Sequence, residues 1–275
     1  MLTQTGRAVR LEAGAAVGSI MGMGHFLRTV RGGTGTPTLL LIHGLGATGD
    51  VWDGVQHLLP GRWPGRWLVP DLPGHGGSEP LDRYTFDAMT AAVADEVGAA
   101  DPVLIVGHSL GGVVGINLAG ARFDVRTIGV LGLGIKVSWT PDELARSTAM
   151  GQRQVQYFET RDAATQRYLR VSGLAGLVEP TDPIIDHGIA HDHNHDRWRM
   201  TMDPAAFAVG APDMPRLLAD ARSAVVLARG EHDTLVTDGQ LAALPAERVT
   251  LPGLGHNAHV QDPDAVLSLL TRTVF

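Results

Sequence analysis

Short apolar runs recur along the chain, at Thr38–Ile42, Trp67–Val69, Val103–Gly107, Thr127–Leu133, Ala224–Ala228 and Arg248–Leu251. They are too short for helices that bury a face and rich in Val, Leu and Ile, as strands covered on both sides are. Between them lie helix-like stretches at 52–60, 85–99 and 110–121, and a last one from about Asp264 to the C-terminus. Thr85 stands where the second of these needs an N-cap. Two further short strands are expected between Ala13 and Gly24, joined near Gly18-Ser19. Strands alternating with helices predict a parallel sheet with helices on both faces.

From about Ser138 to Asp213 this rhythm breaks. The segment reads as helical at 141–159 and 161–171, with no clear strand, and it collects Trp139, Tyr157, Phe158, Tyr168, Trp198 and Phe207. A helical insertion between two strands of a sheet predicts a cap over the sheet's end. The expected division is therefore a core of 1–137 and 214–275 with a cap of 138–213.

Composition narrows the functional classes. The net charge of −7 argues against nucleic acid or an anionic membrane surface as partner. With no cysteine, disulfides, thiolate metal sites and a cysteine nucleophile are excluded. Lys136 is the only lysine and no P-loop surrounds it. No stretch approaches the roughly 20 apolar residues of a membrane span. Arg7 and Arg10 precede an uncharged run, but Glu12 and the glycines at 14, 18, 22 and 24 make it a poor signal helix. A cytoplasmic monomer or homodimer acting on a small molecule is expected.

The sharpest motif is Gly107-His108-Ser109-Leu110-Gly111, a G-x-S-x-G placed between a strand and a helix. That context makes Ser109 the tip of a tight turn, exposed at the end of the sheet, with glycines where side chains would collide. A serine nucleophile needs a base, and the base needs an orienting carboxylate. Both are sought at the C-terminal ends of later strands, where parallel sheets bind ligands. Strand 224–228 leads to Glu231-His232-Asp233, and strand 248–251 to Gly255-His256. His259 and Glu231 are the rivals of His256 and Asp233.

These motifs, with His43-Gly44-Leu45-Gly46 and Asp71-Leu72-Pro73-Gly74-His75-Gly76-Gly77-Ser78, resemble those of the α/β-hydrolase superfamily in their order. The likeness is to its capped small-esterase, enol-lactonase and ring-cleavage-product hydrolase branch. It implies a mostly parallel, eight-stranded sheet flanked by helices, with the cap inserted after the sixth strand. It also implies Ser109 as nucleophile, His256 as base then acid, Asp233 as its carboxylate, and the N–H groups of Leu45 and Leu110 as oxyanion hole. His43 and His108 are expected to support these groups, and Trp52, Ile135, Trp139, Tyr157 and Trp198 to line the substrate pocket.

The implied activity is hydrolysis of a small apolar ester, thioester or lactone. Carbon–carbon bond hydrolysis or perhydrolysis on the same triad, and a noncatalytic ligand receptor, are the alternatives. No cofactor is expected. His187 and the run His191-Asp-His-Asn-His-Asp196 form the one patch that raises a metal, since His191 and His195 have the i, i+4 spacing of a helix face. A solvated polar turn is the preferred reading, and no metal is expected.

Overall fold

A computed structural model of the protein describes residues 25–270. In the core, β1 (Thr29–Gly32), β2 (Thr38–Ile42), α1 (Asp53–Leu58), β3 (Trp67–Pro70), α2 (Phe86–Val97), β4 (Val103–His108), α3 (Leu110–Leu118) and β5 (Thr127–Leu133) come first. The inserted segment carries α4 (Pro141–Gly151), β6 (Tyr157–Phe158), α5 (Arg161–Val171), β7 (Ile189–Asp192) and β8 (Arg197–Met200). The chain then returns through α6 (Met214–Asp220), β9 (Val225–Gly230), α7 (Asp238–Ala242), β10 (Glu247–Leu251), α8 (Ala258–Gln261) and α9 (Pro263–Ser268).

The main sheet runs β1-β3-β2-β4-β5-β9-β10, and every pairing is parallel except β1 on β3. The two strands expected within 13–24 lie outside the described residues, as does the chain beyond 270. Among the described residues the sheet has seven strands, and the insertion follows the fifth. The edge strand β1 was not anticipated. Its four residues, Thr-Val-Arg-Gly, are too few and too polar to signal a strand.

Alternation along the central strands sorts side chains between two apolar layers. Leu40, Ile42, Val103 and Ile105 face the layer built with α2 and α3, while Leu39, Leu41, Leu104 and Val106 face the other. Burying each such side chain contributes about 1.5–3 kcal/mol. Thr85 does cap α2, accepting the Ala88 N–H at 3.0 Å.

The insertion is not purely helical. The stretch 141–159 is not one helix: α4 ends at Gly151, packed against Ala208, and after a polar run the chain enters β6. β6, β8 and β7 form an antiparallel sheet. Its hairpin turns at Asp196, with φ 50°. Histidine, aspartate and arginine fill its strand positions, which hid it from a reading based on apolar alternation.

Candidate active site

β4 delivers Ser109 to the C-terminal end of the sheet, where β2, β5, β9 and β10 also end. The strand-to-helix turn holds Ser109 at φ 50°, ψ −114°. Its N–H donates to the Leu133 carbonyl at 2.8 Å, and its own carbonyl accepts from the Gly112 N–H at 3.0 Å. The turn closes only because Gly107 and Gly111 lack side chains. A Cβ on Gly107 would lie 2.3 Å from the Gly111 oxygen, and one on Gly111 2.4 Å from the oxygens of Ile42 and His43.

Loops after β9 and β10 bring Asp233 and His256 together. His256 Nδ1 lies 2.9 Å from Asp233 Oδ2. Asp233 is fully buried and its other oxygen accepts the Leu235 N–H at 2.8 Å, so the carboxylate is held at both oxygens. Gly134, next to the carbonyl that anchors Ser109, abuts this pair; a Cβ there would lie 3.2 Å from His256 Nδ1. The rivals are placed elsewhere. His259 is fully buried between Trp52 and His108, with ring centroids 4.4 Å from each, and burial, then the nearby His256, holds its pKa down to about 3. Glu231 accepts the Gly253 N–H and stays exposed.

Leu45 and Leu110 line the same cavity as Ser109, and among the described residues neither backbone N–H has an acceptor. His43 fixes the Leu45 loop. Its Nε2 accepts the Leu72 N–H at 2.8 Å, which leaves the hydrogen on Nδ1 to donate to the Gly44 carbonyl at 2.8 Å. Burial keeps His43 neutral, as this double role requires. The 71–78 turn that His43 grips is organised by buried Asp71, which accepts from Gly49 N–H, Gly77 N–H and Arg28. Arg28 was not singled out from the sequence, because its partners lie more than twenty residues away.

A cavity of about 70 Å³ opens on Ser109. Leu45, Phe86, Val113, Trp139, Phe207 and Val209 give it apolar walls, and Lys136 is its one charged residue. Lys136 Nζ is 2.5 Å from Glu143 Oε1 and 4.6 Å from the Trp139 ring centroid. The ammonium, then the Thr140 N–H, holds the Glu143 carboxyl down to about 2.

Of the five expected pocket residues, only Trp139 lines this cavity. Trp52 is fully buried in the core against His259. Ile135 packs under the site between Gly112 and Gly132. Tyr157 and Trp198 belong to the cap sheet, where Tyr157 packs on His195 of the hairpin turn and Trp198 meets His191 edge to face. Phe86, Phe207 and Val209 were missed because they reach the site from distant helix and turn positions. His191 and His195 sit on a strand and its turn, so the helix-face spacing does not apply to them. No helix among the described residues is long and apolar enough to cross a membrane.

A strained serine at the end of a central parallel strand, whose neighbour His108 contacts the histidine of a His–Asp pair from later strands, defines a class. The chain belongs to the alpha/beta hydrolase family, whose model matches residues 39–269. It is similar to lipase LipV of Mycobacterium tuberculosis, 42% identical over 180 residues, covering 62% of this chain and 65% of that protein. It is also 39% identical over 84 residues to a pimeloyl-[acyl-carrier protein] methyl ester esterase of Neisseria meningitidis, covering 30% of this chain and 26% of that one. The chain thus spans less than two thirds of the length of these relatives. In fold it resembles solved E-2-(acetamidomethylene)succinate hydrolase, with TM-score 0.73 and 21% identity over 91% of this chain and 99% of that one.

Proposed function

We propose that this protein is a serine hydrolase that cleaves a small, fairly apolar carboxylic ester, thioester or lactone through an acyl-enzyme. The observation that carries the reading is Ser109, held at positive φ in an apolar cavity, with the preceding His108 in contact with His256 of the His256–Asp233 pair. Ser109 Oγ attacks the substrate carbonyl while His256 Nε2 takes its proton. Nδ1 keeps its hydrogen on Asp233, which orients the ring and stabilises the imidazolium. The carbonyl oxygen becomes an oxyanion, received by the N–H groups of Leu45 and Leu110. Such donors, already aimed, act on the charge of the transition state; losing one costs about 2.7–4 kcal/mol of barrier.

His256 then gives its proton to the leaving alcohol or thiol. Water, deprotonated by the same nitrogen, attacks the acyl-enzyme and releases the acid. The lipase and esterase names of the relatives support this activity, and the small apolar cavity supports an apolar acyl segment next to the serine.

The test is a series of p-nitrophenyl esters from acetate to long chain, run beside Ser109→Ala. Repeated release that vanishes in the variant is expected. Absence of release from every ester by folded protein would move the reading to carbon–carbon hydrolysis or to ligand binding without turnover.

A further inference from the structure

Phe207 lines not only the Ser109 cavity but also a second cavity, of about 80 Å³, within the cap. Met150, Met200, Met202 and Val171 give this one an apolar wall, and Arg153 and Arg167 also line it. Methionine adapts its shape to what it packs against, which suits a flexible chain. Val171, which lines the cap cavity, also sits next to the Ser109 cavity. It packs so closely on Gly46 that a Cβ there would lie 2.5 Å from Val171 Cγ1, and neighbouring Leu45 lines the Ser109 cavity. Arg167 lies one helical turn before Val171 on the same face of α5, roughly 6 Å along the axis.

Among the cap arginines without a carboxylate partner in the described residues, Arg146, Arg153 and Arg170 are exposed and Arg167 alone is half-buried. Arg161, Arg197 and Arg199 each have a carboxylate, from Asp186, Glu159 and Asp192, at 2.7, 3.0 and 3.8 Å. Arg167 is half-buried in the wall that the methionines share and has no carboxylate partner among the described residues; Arg153, exposed at the mouth of the same cavity, has none either. An arginine stem can cover apolar surface alone, but a partly desolvated guanidinium is stabilised by an anion that matches its fork. The larger cleft of about 460 Å³ between α2, α3 and α6 makes the contrast: its arginines, 122 and 216, are paired with Asp87 and Asp220 at 2.7 and 3.5 Å.

We propose that the cap cavity is an acyl-chain subsite closed by an anion-binding pair. The acyl chain runs from the carbonyl at Ser109 past Phe207 and along the methionines, and its terminal carboxylate or phosphate meets Arg153 and Arg167. This assignment rests on the serine hydrolase reading and names its substrate class: an ester of an acid that carries a second, anionic end.

The test compares p-nitrophenyl half-esters of glutarate, adipate and suberate, and their ω-phosphate analogues, with neutral p-nitrophenyl esters of equal chain length. At one of these lengths the anionic ester is expected to have at least about tenfold higher kcat/KM, the scale of one charge-assisted hydrogen bond. Carboxylate and phosphate arms identify which anion is preferred. Arg167→Met should bring the anionic-to-neutral ratio to about one, while Arg170→Met, on the exposed side of α5, should keep it. A ratio near one in the unaltered protein at every length, or a ratio that survives in Arg153→Gln/Arg167→Met, overturns the proposal.

Calorimetric titration of Ser109→Ala with suberate and with octanoate reads the subsite without turnover. If no ester is cleaved, the hydrolase reading fails separately, and tighter binding of suberate still supports the anion pair. Equal binding of the two overturns it.

Discussion

His108 and His256 meet edge to face, with ring centroids 4.6 Å apart, and His108 Nε2 lies 3.1 Å from the His256 carbonyl oxygen. A carbonyl only accepts, so Nε2 carries the hydrogen. Burial, then the neighbouring histidines, holds the His108 pKa well below its ordinary value, so the ring is neutral. The residue before the serine thus positions the backbone of the histidine that would serve it. His108→Leu is expected to lower kcat by roughly tenfold or more and to move KM less, because small misplacements cost rate rather than affinity. Steady-state kinetics on a short p-nitrophenyl ester check this, and an unchanged kcat would end the positioning role.

Ser109 occupies backbone angles that side chains disfavour, at a cost of about 1–3 kcal/mol. Ser109→Gly removes that strain, offset in part by the entropy of glycine. The variant is expected to be inactive yet more resistant to urea, by about 1 kcal/mol. Urea unfolding followed by circular dichroism would show it; a lower midpoint would mean that the turn stores no strain.

Gly46 has φ 79° and touches Val171 of the cap. Gly46→Ala meets both a disfavoured backbone angle and a collision with Val171, and should cost about 2 kcal/mol or more. Adding Val171→Ala removes the collision but not the angle, so about half of the loss should return. Full recovery, or none, in the thermal midpoint would show that only one of the two causes operates.

Buried neutral histidines make stability depend on pH. Burial lowers the pKa of His43, His75, His108 and His259, with His75 and His259 held to about 3. Above about 6.5 neither folded nor unfolded protein binds these protons. As pH falls from about 6.5 towards 3 the unfolded chain protonates His75 and His259 and the folded chain does not, so each destabilises the fold by roughly 1.4 kcal/mol per pH unit, and His43 and His108, also lowered by burial, act in the same direction. Urea midpoints at pH 7.5 and 5 should therefore differ, and His259→Phe should reduce the difference. The same difference in the variant would show that His259 is not among the groups responsible.

The sequence made the core of this fold legible wherever a local signal existed. Apolar runs marked the parallel strands, and the glycines of the Ser109 turn announced a close approach that the backbone requires. The order Ser109, Asp233, His256 could be read because strand ends are where parallel sheets gather side chains. The pocket could not be read in this way. Trp52 and Trp139 are both aromatic and both near glycine-rich loops, yet one fills the core and the other lines the cavity. Phe86 and Phe207 reach the same cavity from positions more than a hundred residues apart, and only tertiary packing selects them. The cap hairpin was hidden because histidine and arginine occupy its strands.

The strand order β2-β4-β5-β9-β10 gathers the site from loops that leave the ribosome at very different times. Ser109 emerges long before Asp233 and His256, and no shorter piece of the chain brings the three together. Under the proposed mechanism a growing chain therefore holds its serine without a base, and turnover is expected only when β10 has docked and its loop has closed. Hydrolysis, once assayed, becomes a readout of completed folding: a protein that lacks β10 should keep its α2–α3 layer and release no product.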